Sequence, residues 1–535
     1  MTPHDATHED LPPCRVHAGA GPGRPAGVDR RTALKAGALT AAAAGAALTL
    51  APMAFADAAD GTTETKHIAG HLPTGAADWV YLPVQVPAGV QQIAVSYSYD
   101  KPPVPPGVPG NSCDIGIFDQ RGVTLGSLGF RGWSGGFRTE FAISNSEATP
   151  GYLPGPVSPG TWYVVLGPYQ VAPQGLNYSV DVTLTYGPAG PAYQPHYPPQ
   201  KVQGTGQKWY RGDCHLHTVY SDGRRLPSEV AAGARDAGLD FIVTTDHNTS
   251  SSHSVWGPLA GDDLLTITGE EITTRNGHYL ALGLPPGEWI DWRYRSRDEK
   301  FDDFAQQIHG SGGIVVPAHP YCAFIACRWK FGYGVADAVE VWNGPWTVDD
   351  ESAVDTWDSM LVESVRGGMP WLPAMGNSDA HSVPQVIGLP QNVVLADTKS
   401  KDALLRGVAA GRSWIGESSA VDLSFSVATG GRTAGIGERL AAARDAVVTA
   451  TVAVSGVPNG VVRVISDEGQ VQQTSLDASG AGTVTWMGTP SLAAYVRIEV
   501  RHLRPDGSTG NGNGIGPDLQ LGPMATLTNP IFLGR

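Results

Sequence analysis

One stretch, WYRGDCHLH at residues 209–217, decides the fold of the central part of the chain. It begins with residues that favour a strand and ends on two histidines, His215 and His217, separated by one residue. Side chains at positions i and i+2 of a strand point to the same face, so both imidazoles can reach one metal ion. Such a pair also occurs by chance on surface strands, so its meaning depends on the motifs around it.

Further groups of metal-binding residue types follow in the same part of the chain, most of them where a predicted strand ends. They are Ser221-Asp222-Gly223, Asp246-His247, Gly269-Glu270-Glu271, His278, His319-Pro320 and Asp379-Ala380-His381. Twelve of the 15 histidines follow residue 56, and six of those twelve are either in these motifs or in the pair His215 and His217. Core histidines that serve only packing would not favour one end of the strands, so this distribution predicts a metal centre.

Residues 209–416 alternate between strand-like and helix-like patterns. The predicted strands are 211–217, 240–245, 264–268, 277–283, 313–318, 338–342 and 372–376, and the predicted helices are 227–237, 301–309, 351–365 and 402–410. Pro227 at a helix start and Gly238 after its end are typical helix boundaries. Seven strands with intervening helices predict a distorted α/β barrel, TIM-like and with parallel strands, whose chemistry lies at the strands' carboxyl ends.

In order and spacing, these motifs resemble those of the polymerase-and-histidinol-phosphatase (PHP) superfamily, which has a seven-stranded barrel. Gly277-His278 and the runs 339–343 and 377–381 are similar to the CehA/McbA branch of metallohydrolases. The resemblance covers residues 209–416 and implies two to three divalent metal ions. Mixed imidazole and carboxylate ligands suit manganese, iron or zinc and do not choose among them.

The resemblance also implies which residues hold each ion. The first ion would be held by His215, His217, Glu271 and Asp379. Glu271 would bridge to a second ion, completed by His278 and His319, and a third would be held by Asp222, His247 and His381. The adjacent Glu270 could take the bridging role instead, but Glu271-Ile272-Thr273 matches the family's run, and we prefer Glu271.

Two ions that share a carboxylate would lower the pKa of a shared water, and the resulting metal-bridging hydroxide would attack an ester. A phosphate ester suits this arrangement because the attacking and leaving oxygens lie in line. We expect catalytic roles for Glu271, Asp379 and His247, the last two as candidates for proton transfer. Residues expected to orient ligands or contact substrate are Asp246, Glu270, Arg275, Glu340, Asn343 and Asn377.

The chain on either side of the barrel is predicted to be all-β. Short alternating apolar runs separated by Gly, Pro and Asn turns predict one β-sandwich at 57–188 and another at 417–535. A Pro-rich linker at 189–208 joins the first sandwich to the barrel at 209–416. The β domains could also associate with a cell surface.

The first 56 residues have the features of a twin-arginine export signal. Arg30-Arg31 precede an Ala-rich apolar stretch, and Ala54-Phe55-Ala56 fits the small-x-small cleavage rule. We therefore predict export to the periplasm or the extracellular space, with no stable membrane span. In an oxidising compartment Cys322 and Cys327 could pair across a loop.

A net charge of −15 argues against nucleic acid as the main partner and leaves a small-molecule ester as the expected substrate. Three functions stay open: a phosphoesterase, a carbamate or carboxylic ester hydrolase of the carbaryl-hydrolase type, and a metal-stabilised surface binding protein. An aromatic pocket would favour the second. The tryptophans considered for such a pocket are Trp256, Trp289, Trp292, Trp329, Trp342 and Trp346.

Overall fold

The computed structural model describes residues 61–503 and 521–534. The predicted export signal lies outside these residues. The described chain is mostly β-structure with four α-helices, and it divides into three consecutive parts that share sheets and cores. No helix in the described ranges is long and apolar enough to cross a membrane.

The N-terminal part contains eight strands. They are β1 (Thr63–Leu72), β2 (Val80–Val86), β3 (Val90–Tyr99), β4 (Ser112–Phe118), β5 (Phe130–Ser134), β6 (Glu140–Ser144), β7 (Gly160–Gln170) and β8 (Leu176–Tyr186). They form two antiparallel sheets, in the orders β1-β8-β3-β6 and β2-β7-β4-β5. Ile93 and Val182 from the first sheet and Ile115 and Trp162 from the second belong to one apolar core. The two sheets therefore share a core. That they pack face to face as a β-sandwich stays a prediction.

The central part contains four helices and nine strands. In chain order they are β9 (Lys208–Asp213), α1 (Pro227–Asp236), β10 (Phe241–Thr244), β11 (Leu265–Thr274), β12 (Gly277–Leu282), α2 (Phe301–Gly310), β13 (Ile314–Pro317), β14 (Val339–Asn343), α3 (Val348–Val365), β15 (Ala374–Asn377), β16 (Gln391–Ala396), α4 (Lys401–Ala409) and β17 (Ser413–Gly416). Each predicted helix and strand is present, with ends that differ by up to six residues, the largest difference being at Thr274, where β11 ends.

The pairing of these strands differs from the predicted parallel barrel. Only β9-β10-β11 and the separate pair β14-β15 are parallel, whereas β11-β12-β13 and β9-β16-β17 are antiparallel. Among the described strands, the hydrogen-bonded pairs do not close into a ring. The physical reason is clearest at β11, which continues beyond Glu271 to Thr274 and reaches β12 through Arg275 and Asn276 alone. A two-residue connection permits only antiparallel pairing, because a parallel crossover needs a dozen residues or more.

The C-terminal part contains ten strands. They are β18 (Asp422–Thr429), β19 (Arg432–Gly435), β20 (Arg439–Leu440), β21 (Val448–Ser455), β22 (Val461–Ser466), β23 (Gly469–Ser475), β24 (Gly482–Gly488), β25 (Tyr495–Leu503), β26 (Leu521–Thr528) and β27 (Ile531–Leu533). One sheet has the order β19-β18-β21-β24. The other strands extend the central sheet, because β26 pairs with β17. The predicted boundary at residue 417 therefore falls within a continuous sheet.

The predicted linker crosses the surfaces of the two parts that it connects. Tyr193 N donates to Asn145 O at 2.9 Å, and His196 N donates to Ser254 O at 2.8 Å. The N-terminal and central parts also share a second apolar core, in which Phe130 stacks on Trp289 with ring centroids 4.2 Å apart. This shared packing fixes the N-terminal part beside the carboxyl ends of β9, β10 and β11.

Candidate metal centre

Two of the predicted motifs lie side by side just beyond the ends of β9 and β15. Leu216 forms a parallel bridge with Ala380, so His215-Leu216-His217 runs next to Asp379-Ala380-His381. Asp379 N donates to His215 O at 3.0 Å, and His217 N donates to Ala380 O at 3.2 Å. The local pairing brings the polar residues that flank Leu216 and Ala380 to one place.

The carboxylate of Glu271 lies at the centre of the cluster and is fully buried. Oε2 lies close to His215 Nε2 (3.1 Å), His217 Nε2 (3.3 Å) and His247 Nδ1 (2.9 Å). Oε1 lies close to His278 Nδ1 (2.9 Å) and His319 Nε2 (3.1 Å). One carboxylate therefore contacts five imidazoles, with a different oxygen facing each half of the cluster.

The neighbouring Glu270 points away from the imidazoles. Successive residues of a strand face opposite sides, and Glu270 Oε2 accepts a hydrogen bond from Ile290 N at 3.0 Å. Burial, together with the charges of Asp291 and Glu288, raises the pKa of Glu270 well above its ordinary value. Glu270 is thus a buried carboxyl group on the side remote from the cluster, and the position of a bridging ligand belongs to Glu271.

All nine predicted ligands lie in overlapping groups whose donor atoms are within 4.8 Å of one another. The first predicted set forms one group: His215, His217, Glu271 and Asp379. The third predicted set forms another, with one added member: Asp222, His247, His381 and His217. The second set is divided, because Glu271 and His278 join His247 in one group while His278 and His319 join Cys327 in another.

The donor atoms fit divalent ions because several are buried without a hydrogen bond. They are His215 Nε2, His217 Nε2, Asp222 Oδ1, Glu271 Oε2, Asp379 Oδ1 and His381 Nε2. His217 Nε2 and Asp379 Oδ1 are 2.9 Å apart, yet neither has a hydrogen-bond partner. Unsatisfied buried polar atoms are rare because each costs about 1–3 kcal/mol. A cation coordinated by these atoms would satisfy them together.

Both carboxylate oxygens of Glu340 accept hydrogen bonds from residues of the cluster. Its Oε1 accepts from His215 Nδ1 at 3.1 Å and from Asn377 Nδ2 at 2.9 Å. Its Oε2 accepts from His319 N at 2.8 Å and from Asn343 Nδ2 at 2.9 Å. A carboxylate on Nδ1 of a histidine fixes the ring and leaves Nε2 available for a metal. Glu340 is therefore placed to orient two predicted ligands.

Two other predicted supporting residues contact the ligands, Asn343 directly and Asp246 through Ser221. Asn343 Nδ2 lies 3.3 Å from Asp379 Oδ2, on the carboxylate oxygen remote from His217. Asp246 accepts from Ser221 Oγ at 2.8 Å, and Ser221 Oγ lies 3.4 Å from His217 Nδ1. Asp246 is therefore linked to His217 through Ser221, in the loop that follows His217.

The backbone is strained at two of the predicted ligands. Asp379 has φ 49° and His319 has φ 28°, in the left-handed region that non-glycine residues seldom adopt. Each such residue costs on the order of 1–3 kcal/mol and persists where the surrounding structure holds it. Strain at two ligands is typical of a site whose geometry serves a function.

The electrostatics of the cluster follow from burial and opposite charges. Burial opposes the charge on Glu271, but His247 and His215 outweigh it and hold the Glu271 pKa well below its usual range. Burial likewise disfavours charge on His381, but Asp222 raises its pKa to about 9. Burial lowers the pKa of His217 to about 3, and the charges of His381 and His247 act in the same direction. The imidazoles that lower the Glu271 pKa are thus the same groups that are predicted to bind a cation.

The loop after His319 is closed by a disulfide between Cys322 and Cys327, the pairing that the sequence left open. Cys327 Sγ lies 3.5 Å from His319 Nδ1. Cys113 and Cys214 are free and buried. The disulfide therefore constrains the segment that carries one predicted ligand.

An open pocket leads from solvent to the cluster, and the N-terminal part forms one wall of it. The central part contributes Asp222, His247, His278, Arg275 and Trp292, among others. The N-terminal part contributes Trp79, Asp114, Trp133, Phe137 and Tyr169, among others. Sequence reasoning missed this wall because its residues, from Trp79 to Tyr169, all precede the first cluster residue, His215, and lie in a part predicted to be a separate β-sandwich.

Arg275 lines the pocket, where the sequence predicted a substrate contact. Its guanidinium lies over the ring of Tyr169, 4.4 Å from the centroid, and Nη2 donates to Asp78 O at 3.4 Å. Burial raises the pKa of Asp114 to about 6, against the opposing effect of the Arg275 charge. The pocket therefore carries one fixed cation and one additional carboxyl group beside the predicted ligands.

Of the six tryptophans considered for an aromatic pocket, Trp292 alone is among the described pocket-lining residues. Trp256, Trp329 and Trp342 are buried in apolar cores, and Trp289 stacks on Phe130. Trp346 packs against Trp342 with ring centroids 5.2 Å apart. An aromatic wall exists, but most of its rings come from the N-terminal part.

No known family profile matches the sequence, and no curated protein matches it. Several solved structures resemble parts of it. A two-domain protein from Bacteroides vulgatus that contains a predicted PHP-like metal-dependent phosphoesterase is 16% identical and matches 63% of this chain and 100% of its own, with a TM-score of 0.32. A putative metal-dependent phosphoesterase from Bifidobacterium adolescentis is 19% identical over 39% of this chain and 96% of its own, with a TM-score of 0.26.

An amidohydrolase from Chromobacterium violaceum is 18% identical over 33% of this chain and 89% of its own, with a TM-score of 0.24. Scores this low carry no argument about the present chain. The interpretation of the site therefore rests on its own geometry.

Proposed function

We propose that this protein is a metal-dependent hydrolase whose centre is built around Glu271. The observation that supports the proposal most strongly is the single buried carboxylate with imidazoles of His215, His217 and His247 at one oxygen and of His278 and His319 at the other. A structural ion needs one closed set of about four ligands. Several overlapping sets that open into a pocket are more typical of a catalytic centre.

Each residue of the centre has a task in this proposal. His215, His217, Glu271 and Asp379 would hold one ion, His278 and His319 a second with Glu271, and Asp222, His247 and His381 a third. Divalent ions supply Lewis-acid activation of water and of an ester oxygen. His247 is the least buried of the histidines in these sets and lines the pocket, so it is placed to pass a proton to solvent.

The proposed substrate is a small phosphate ester. Arg275 supports this choice, because its guanidinium lines the pocket only three residues before His278, and guanidinium matches phosphate oxygens in shape and charge. The aromatic wall supports a second candidate, a carbamate or carboxylic ester hydrolase, since an uncharged ester gains from apolar surroundings. Manganese, iron and zinc are the proposed metals.

The experiment is turnover of metal-loaded protein on paired panels of phosphate esters and carbamates. Faster turnover of phosphate esters supports the first candidate, and the reverse result supports the second. No turnover on either panel, with metal shown to be bound, would contradict both and leave a metal-stabilised surface binding protein. The Asp379→Asn variant serves as the inactive control.

We also propose that the protein is exported through the twin-arginine route to the periplasm or beyond. The proposal is supported by Arg30-Arg31 ahead of an Ala-rich stretch, and by a disulfide between Cys322 and Cys327 of the kind that persists in oxidising compartments. Replacing both arginines by lysine should retain the protein in the cytoplasm. Unchanged secretion of that variant would show that another route is used.

A further inference from the structure

The N-terminal part presents a carboxylate to the pocket through a specific local arrangement. In the sheet β2-β7-β4-β5, Asp114 of β4 lies directly opposite Gly167 of β7. Gly116, two residues further along β4, lies opposite Trp133 of β5. Side chains at these positions share one face of the sheet, and that face is turned toward the metal centre.

Two glycines make room on this face. A Cβ added at Gly116 would lie 2.5 Å from the Trp133 ring, and one added at Gly167 would lie 2.6 Å from it. The indole therefore lies flat against the sheet, across both glycines. Any larger residue at either position would lift the ring off the sheet and change the wall beside Asp114.

The wall is held rigidly against the central part. Arg295 binds both oxygens of Asp78, at 2.5 and 2.6 Å. Arg293 Nη1 donates to the Tyr81 hydroxyl at 2.7 Å, and Gly126 N donates to Asp291 at 2.9 Å. With the shared apolar core, these contacts make the pocket a preformed feature of the whole chain.

Asp114 belongs to none of the candidate metal groups, although it shares the pocket with Asp222, His247 and His278. Aromatic rings line the same pocket, notably those of Trp133, Tyr169 and Trp79. Polar interactions are stronger where aromatic walls exclude water. A site built to bind a donor group also rejects an analogue that lacks it, because the site's own polar group is then left unsatisfied.

We propose that Asp114 is a specificity-determining residue, which accepts a hydrogen bond from a hydroxyl or ammonium group carried by the substrate beside its scissile ester. The inference rests on the proposed function, since it assumes that the ester group lies at the metal centre. The N-terminal part is then a component of the active site and not only an accessory module. The substrate class is an ester of an alcohol that carries a second polar donor group.

The test is equilibrium binding of three phosphonates of similar size to the metal-loaded full chain by calorimetry. Aminoethylphosphonate carries an ammonium donor, hydroxyethylphosphonate carries a hydroxyl donor, and propylphosphonate carries none. We expect at least one donor-bearing probe to bind about tenfold or more tightly than propylphosphonate. Because binding is measured without turnover, this result is independent of whether the protein hydrolyses phosphate esters.

Two variants of Asp114 identify the donor. Asp114→Ala should reduce the preference for the donor-bearing probes to less than about twofold. Asp114→Asn keeps an acceptor oxygen and loses the charge, so it should keep a preference for hydroxyethylphosphonate and lose one for aminoethylphosphonate. Asp181→Ala, which removes an exposed carboxylate from the other N-terminal sheet, should leave all three affinities unchanged.

Equal affinity for the three probes, or no measurable binding of any, would overturn the assignment. A preference that persists in Asp114→Ala would do the same. If Asp114→Ala does not fold, the preference of the parent protein and its change in Asp114→Asn still decide the question. Failure of the turnover panels with an intact preference would contradict the proposed function alone.

Discussion

Glu270 and Glu271 are adjacent in β11, yet their carboxyl groups lie on opposite faces of the strand. Glu271 contacts five imidazoles, while Glu270 accepts a hydrogen bond from Ile290 N and has a strongly raised pKa. Two adjacent glutamates, both fully buried, thus have different surroundings. This contrast separates a role in the metal centre from a role in packing.

Glu271→Gln should lower turnover by at least ~100-fold, the lower range for loss of a major electrostatic element. The change removes the charge that holds two cations close together while preserving size. Glu270→Gln is the matched control and should change turnover by less than about threefold, because this side chain faces away from the imidazoles and an amide keeps an acceptor oxygen for Ile290 N. Steady-state kinetics of both variants provide the measurement. A larger loss in Glu270→Gln would transfer the bridging role to Glu270.

Glu340→Gln should weaken metal binding by about 10–100-fold, the usual effect of removing a partner that orients metal ligands. Glu340 accepts hydrogen bonds from the His215 ring and the His319 backbone, and an amide would replace one acceptor by a donor. Competition with a chelator measures the affinity. Glu363→Gln, an exposed change at the end of α3, is the control. Unchanged affinity in Glu340→Gln would show that the rings are held by other contacts.

Much of this arrangement could be predicted from the sequence because each motif follows a strand with a clear local pattern. The alternation of the predicted strand 211–217 puts His215 and His217 on one face, although β9 ends before them, and the resemblance of Glu271-Ile272-Thr273 to the family's run favours Glu271 over Glu270. The pairing of β11 with β12 was not predicted, because Gly269-Glu270-Glu271 was interpreted as the end of a strand that continues to Thr274. Antiparallel pairing there depends on the short Arg275-Asn276 turn, whose meaning appears only once both strand ends are known.

The contribution of the N-terminal part to the pocket could not be predicted from the sequence. Asp114 lies in a strand with no metal-binding motif nearby, and only the packing of Phe130 on Trp289 and the contact of Asp78 with Arg295 bring its sheet to the metal centre. Contacts between distant parts leave no periodic pattern in either part. Local patterns therefore located the ligands, whereas tertiary contacts determined the shape of the pocket.

A charge network in the C-terminal part predicts a pH dependence of stability. Glu499 is buried and contacts Arg497 at 2.7 Å and Arg463 at 2.6 Å. Burial opposes its charge, but the arginines lower its pKa from 4.5 to about 2. A lowered pKa contributes stability that is present above pH 4.5 and is lost as the pH falls toward 2. The shift corresponds to at most about 3 kcal/mol.

Glu499→Gln should therefore lower the unfolding temperature most near pH 7, and the difference from the parent should narrow below about pH 4.5. Thermal unfolding followed by circular dichroism between pH 7 and pH 3 measures this change. Glu468→Gln, on the exposed turn between β22 and β23, should show no such dependence. If the difference in unfolding temperature between Glu499→Gln and the parent stays constant from pH 7 to pH 3, protonation of Glu499 contributes nothing to the pH dependence of stability.

The central claim is that the cluster around Glu271 holds metal ions, and elemental analysis tests it most directly. Protein purified without exposure to chelator should carry at least two transition-metal ions per chain, because nine predicted ligands, seven of them buried, form overlapping groups around one carboxylate. Fewer than one ion per chain in such protein would contradict the account.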